Sequence, residues 1–173
     1  MTVLPQPPLP RGFAADLEPV WHADPDRLLA AAFAPVAVRT DLARLYALNL
    51  ELALVAERTR EEMVGPIRMA WWGEALDDAL GGGTVRPHPV LLAAVPILRR
   101  LPDAARICAG MIAARERDLD PTAFATWEDL EAYIDATAGG TTTLALACCG
   151  IGEVPAATAG QAVGRAWGLT GLI

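Results

Sequence analysis

A chain of 173 residues, 53% of them hydrophobic, is long enough for one domain with a sizeable core. Its net charge of −7, with 14 basic residues scattered rather than massed, excludes a nucleic-acid surface, which needs clustered Lys and Arg. The three cysteines, Cys108, Cys148 and Cys149, make no disulfide framework. His22 and His88 stand alone, as loop or helix-start residues, and give no zinc spacing.

Residues 1–20 hold Pro5, Pro7, Pro8 and Pro10 and read as a flexible, proline-rich N-terminal arm rather than a signal peptide. An α-helical domain follows over 21–173. Asp24-Pro25-Asp26 starts the first helix with an N-cap, a first-turn proline and an early acid, and Pro35 ends or kinks it. A long helix is expected over 36–59, with Leu45, Leu48, Leu52 and Val55 on one apolar face. A third runs over 61–80 with Pro66 in its first turns, and Gly81-Gly82-Gly83 stops it. A fourth begins at His88-Pro89, and a fifth covers 103–118. Thr126 with Glu128 and Asp129 opens a sixth, which continues to Cys149. Cys148 and Cys149 adjoin an alanine-rich run and read as buried thiols. A seventh starts near Ala156. Residues 168–173 carry no cap or polar tail, so this helix reads as cut. No strand alternation is visible, and no apolar run reaches the length of a membrane span. The cytoplasm is the expected compartment, with peripheral contact at the inner membrane left open.

Chemistry has few places to sit. Glu51 and Glu57 on the second helix are six residues apart, about 120° around the axis, so they do not chelate one ion together. Arg44, Glu51 and Arg58 recur every seven residues and read as a charged stripe facing solvent or a partner. Met69, Trp71 and Trp72 read as core, and Glu74, Asp77 and Asp78 as surface. Gly139 and Gly140 inside the sixth helix cost about 2 kcal/mol relative to alanine, which points to close helix packing or to the wall of a pocket for an apolar chain.

The order of these features resembles one family. Pro35-x-x-x-Arg39 followed by Leu45-Tyr46-Ala47-Leu48-Asn49, the turn into His88-Pro89-Val90, and Tyr133-x-x-x-x-Ala138-Gly139 preceded by Asp118-Leu119 are similar to the motifs of squalene/phytoene synthases. The likeness runs from about residue 24 to the end. It implies an all-α, isoprenoid-synthase-like helical bundle, here the N-terminal two-thirds of the family fold without its C-terminal helices. It implies head-to-head prenyl transfer between two isoprenoid diphosphates, in isoprenoid or carotenoid biosynthesis. In that family Mg2+ ions held by two aspartate-rich motifs activate the diphosphates. The resemblance places Arg39, Tyr46, Tyr133, Ala138 and Gly139 at the substrate.

The sequence departs from the pattern at the metal. The first motif falls on residues 50–57, where Leu50 replaces its arginine and Ala53 and Leu54 its leading aspartates. Only its last acid survives, as Glu57, a vestigial metal ligand. The second motif falls on Gly164, Gly168 and Gly171, with glycine at both amide positions and no aspartate. Magnesium is held by several carboxylates and phosphate oxygens together, so no bound Mg2+ and no catalysis are expected of this chain alone. The stretch from Tyr46 to Glu57, with Ile67 to Asp78, resembles the divergent branch of the family that includes a complex I assembly factor. That branch keeps the fold without the acid motifs. The alternative to prenyl transfer is therefore a non-catalytic assembly factor, or a protein that binds an isoprenoid or a protein partner through the old pocket. A truncated paralogue without activity is the third reading.

Overall fold

The computed structural model describes residues 8–59, 63–120 and 122–171. Among them every regular element is helical: α1 (Glu18–Ala23), α2 (Pro25–Ala32), α3 (Val36–Glu57), α4 (Val64–Leu80), α5 (Pro89–Leu98), α6 (Ala104–Arg115), α7 (Trp127–Ile134), α8 (Gly140–Cys148) and α9 (Val154–Thr170). This is the all-α architecture expected from the sequence.

Local chemistry sets the helix ends. The Asp24 side chain accepts from the Arg27 backbone N–H at the start of α2. Thr126 and Asp129 form a reciprocal capping box on α7, worth about 1 kcal/mol for the cap alone. At the C-terminus of α4 the chain reverses through Gly82, whose φ of 94° is open to glycine and costly for other residues. Arg99 donates to the Ala79 and Gly83 carbonyls there, satisfying acceptors that the helix end leaves unpaired.

Two expectations need correction. The arm expected over 1–20 gives way at Ala15 to a 3-10 turn and then to α1. Leu17, Val20 and Trp21 from this stretch are buried against Leu28 and Ala43. The prolines stop at Pro10 and Pro19, and Pro19 sits in the first turn of α1, where its missing N–H costs nothing. Residues 1–7 and the expected helix start at Glu61 lie outside the described residues. His22 lies in the last turn of α1, with Nδ1 2.8 Å from the Glu18 carbonyl oxygen.

The apolar stripe of α3 works as its spacing predicts. Leu45, Leu48, Leu52 and Val55 pack with Met69, Trp72 and Leu76 of α4, Leu91 and Leu98 of α5, and Met111 of α6 in the main core. Met69 and Trp72 are buried, Trp71 is half-buried at the edge, and Glu74, Asp77 and Asp78 are exposed. Cys108 is buried and the other two free cysteines half-buried. Burial pushes the Cys108 thiol up to about 12, which keeps it out of the reactive thiolate form.

The expected sixth helix is one rod with a fault in it. Between α7 and α8, residues 135–139 form a π-helical turn. The hydroxyls of Thr137, Thr141, Thr142 and Thr143 each bond the carbonyl four residues back, a pattern that loosens and bends helices. α9 lies along this fault. Gly160, Gly164 and Gly168 recur every four residues on its inner face. A Cβ on Gly164 would stand 2.9 Å from the Gly139 Cα and 3.2 Å from the Ala138 oxygen. Arg165 ties the pair from outside, its Nε and Nη2 each 2.7 Å from the Asp135 carboxylate and its Nη1 3.2 Å from Glu131.

This contact is backbone on backbone and cannot yield. Gly164→Ala is therefore expected to destabilise the fold by about 1–3 kcal/mol, despite the roughly 1 kcal/mol that alanine gains in helix propensity. Gly110→Ala in α6, where an added Cβ meets nothing within 4 Å, is expected to raise stability by about 0.5–1 kcal/mol. Thermal unfolding separates them: a melting temperature unchanged or raised in Gly164→Ala contradicts the packing.

Candidate functional site

The centre of the bundle holds a polar network where the apolar pattern alone would place more core. Asn49 is one helical step from Leu48 on the buried face of α3 and is 5% exposed. Its Oδ1 accepts from Arg115 Nη2 of α6 at 3.2 Å and from the Thr141 hydroxyl of α8 at 3.0 Å. Arg115 is 9% exposed, and its Nη1 reaches Asp118 at 3.2 Å. The other Asp118 oxygen accepts from the Tyr133 hydroxyl of α7 at 2.7 Å. Five side chains thus join α3, α6, α7 and α8 and the 3-10 turn (Glu116–Leu119) that ends α6.

An ion in a low-dielectric core must be paired and hydrogen-bonded. Here Asp118 neutralises Arg115, and Asn49 takes another of its donors. Tyr133 then completes the carboxylate's shell. Burial, with the Asp118 hydrogen bond second, holds the Tyr133 phenol well above its ordinary range. The Tyr46 phenol is also raised, chiefly by burial.

Only one of the five residues expected at a substrate joins this network. Arg39 donates through Nε and Nη2 to the Ala34 carbonyl and closes the α2–α3 corner. Tyr46 packs on the cluster of Leu17, Val20 and Trp21, with the Arg27 guanidinium 6.0 Å from its ring centre. Ala138 and Gly139 are buried in the π turn against Gly164 and Gly168, which is the packing reading of that glycine run. Tyr133 alone meets polar partners, and its ring contacts Phe124 at 5.3 Å. Both rings line an apolar groove of about 660 Å³ with Gly110, Ala113 and Arg117. The groove is open to solvent along one side. Arg115 escaped notice in the sequence because an arginine at a helix end normally faces water. Asn49, a lone amide on a leucine stripe, was the readable signal.

The residues do not fit a magnesium cluster. Glu57 is exposed at the last position of α3. Glu51 lies under Arg58, whose Nη1 is 3.1 and 3.2 Å from its two oxygens. Arg44 of the same stripe pairs with neither. Among the described residues no three His, Cys, Asp or Glu side chains gather as a metal site. At an amide position of the second motif Gly168 presses on Ile134: a Cβ there would come within 2.6 Å of Ile134 Cγ2, so a side chain would require Ile134 to shift.

Two outcomes follow from the network. Asn49→Leu removes the acceptor of a buried guanidinium and is expected to cost about 2–4 kcal/mol in urea unfolding, against about 1 kcal/mol for Thr141→Val; equal costs contradict a shared node. For the tyrosines, folded-state values above the unfolded value mean that their stabilisation is complete below about pH 10 and is lost as pH rises through the folded values. Stability should therefore fall at alkaline pH, less steeply in Tyr133→Phe. An identical alkaline slope in that variant contradicts the assignment.

Comparison with known proteins is consistent with this geometry. The squalene/phytoene synthase family pattern matches residues 20–173. Curated relatives named "NADH dehydrogenase (ubiquinone) complex I, assembly factor 6" are 27% identical over 164 residues in Mus musculus and 29% over 154 residues in Bos taurus. The Homo sapiens relative of the same name is 28% identical over 154 residues. These alignments cover 94%, 88% and 88% of this chain but 49%, 46% and 46% of the relatives, so the chain spans about half the length of the curated relatives it matches. No solved structure gives a significant match. With its helices, motif order and matched span in agreement, the chain belongs to the squalene/phytoene synthase family.

Proposed function

We propose that this chain is a non-catalytic member of its family that engages a protein partner, an assembly factor acting on a respiratory NADH dehydrogenase. The observation that carries the reading is steric and chemical at once. At the first metal motif Ala53 and Leu54 offer no oxygen donors, and at an amide position of the second Gly168 has no side chain and is packed closely on Ile134. Diphosphate departure needs several carboxylates acting through metal ions, and these residues do not supply them. What the family fold retains is the scaffold, with a buried ion network that fixes helix positions. The relatives' name supports the partner class. No described helix is long and apolar enough to cross a membrane, so contact with a membrane complex would be peripheral in this reading.

A second reading, reversible binding of an isoprenoid without chemistry, is supported by the Tyr133–Phe124 groove. It predicts metal-independent binding of a fluorescent prenyl analogue that weakens in Ala136→Trp, a variant that fills the groove.

The principal reading has two arms. The purified chain, given geranylgeranyl or farnesyl diphosphate with Mg2+, should release pyrophosphate no faster than the protein-free control. In its host, deletion should lower the amount of assembled NADH dehydrogenase on native gels, with restoration by the wild type and by Glu57→Ala alike. Metal-dependent turnover, or a complex whose assembly is indifferent to the deletion, would sink the proposal.

A further inference from the structure

We infer that the cleft between α3, α4 and the start of α5 is a binding site for a phosphate-sized oxyanion, separate from the central network and from the groove beside Tyr133. The cleft encloses about 190 Å³ and is lined by Glu51, Arg58, Arg68, Trp71, Trp72 and His88, with Leu54 and Val55 behind them.

Its charge balance carries the first part of the inference. In a chain of net charge −7, the described residues that line this cleft set two guanidiniums against one carboxylate. Among the described residues Arg58 bonds Glu51 through Nη1, which leaves Nε and Nη2 with donors to give, and the exposed Arg68 has no ion-pair or hydrogen-bond partner among them. The contrast with neighbouring arginines is informative. Arg86, whose guanidinium lies 5.6 Å from the Trp71 ring centre, is neutralised by both Glu74 and Asp78. Arg99 is spent on main-chain carbonyls.

The second part is an unmet hydrogen bond. His88 packs edge-on against Trp72 and Trp71, with ring centres 4.8 and 5.9 Å apart. Its Nδ1 is shut off from solvent and has no hydrogen-bond partner among the described residues. Buried polar atoms without a partner are uncommon and call for a cause. His88 is also the N-cap of α5 and makes no side-chain cap bond. The positive end of that helix dipole therefore lies at the same cleft. Two guanidiniums, an imidazole and a helix N-terminus, backed by indole walls that exclude water and strengthen charge interactions, match the acceptor-rich surface of a phosphate group.

Titration calorimetry with inorganic phosphate on the whole chain tests this. The wild type should show saturable binding. Arg68→Gln should weaken it about tenfold or more, the loss of one charge-assisted contact, with the melting temperature unchanged because Arg68 is exposed. Arg106→Gln, an exposed arginine on α6, should bind as the wild type does. Co-sedimentation with phosphatidylcholine vesicles carrying phosphatidylglycerol identifies the source. Recruitment that depends on Arg68 assigns a lipid headgroup, and phosphate binding without recruitment assigns a soluble phosphate ester; either supports the site. No saturable binding, undiminished affinity in Arg68→Gln, or an equal loss in Arg106→Gln overturns it.

Discussion

A guanidinium in the middle of a helical bundle dictates the terms on which the bundle can form. Arg115 lies at the end of α6, 9% exposed, and an unpaired charge there would cost more than most single contacts return. It is made tolerable by Asp118, from the turn that follows its own helix, and by Asn49, from α3. Because Asn49 also meets Thr141, and Asp118 also meets Tyr133, four helices are brought to one register around one charge. Apolar packing would permit many small slips of α3 against α6 and α8. A directional network with distances near 3 Å permits few.

The second constraint is the glycine seam. The π turn at residues 135–139 interrupts the α7–α8 rod, and α9 fits against it only because Gly164 lacks a side chain. The same seam bears on chemistry. Gly164 and Gly168 of the seam fall on the opening glycine and an amide position of the family's second motif, and both are closely packed.

Every basic residue of the chain is arginine; lysine does not occur. The structure uses the planar fork for which arginine is suited. Arg39 and Arg99 grip main-chain carbonyls at helix ends, Arg165 clamps Asp135 with two parallel bonds, and Arg117 holds the Thr122 and Ala123 carbonyls under the Phe124 ring. Isolated exposed pairs contribute little each. Here the arginines act as braces between segments.

The sequence by itself determined the helical class, most helix starts and the loss of the metal donors. Those depend on information local in the chain: a cap at Asp24 or Thr126, a leucine every three or four residues in α3, an alanine where an aspartate would be needed. It misplaced the N-terminal boundary because proline content says nothing of Leu17 and Val20, whose burial requires α2 and α3 to be in place. The roles of the expected site residues were likewise beyond it. Tyr46 and Tyr133 are alike in sequence and differ in surroundings, one against an apolar cluster and the other on Asp118. Only the tertiary structure decided that Asn49 would meet partners 66 and 92 residues away, and that Gly164 would close on the Gly139 backbone. Periodicity reports which face of a helix is apolar; which other helix that face meets, and at what separation, is set by contacts between distant segments that no local pattern encodes.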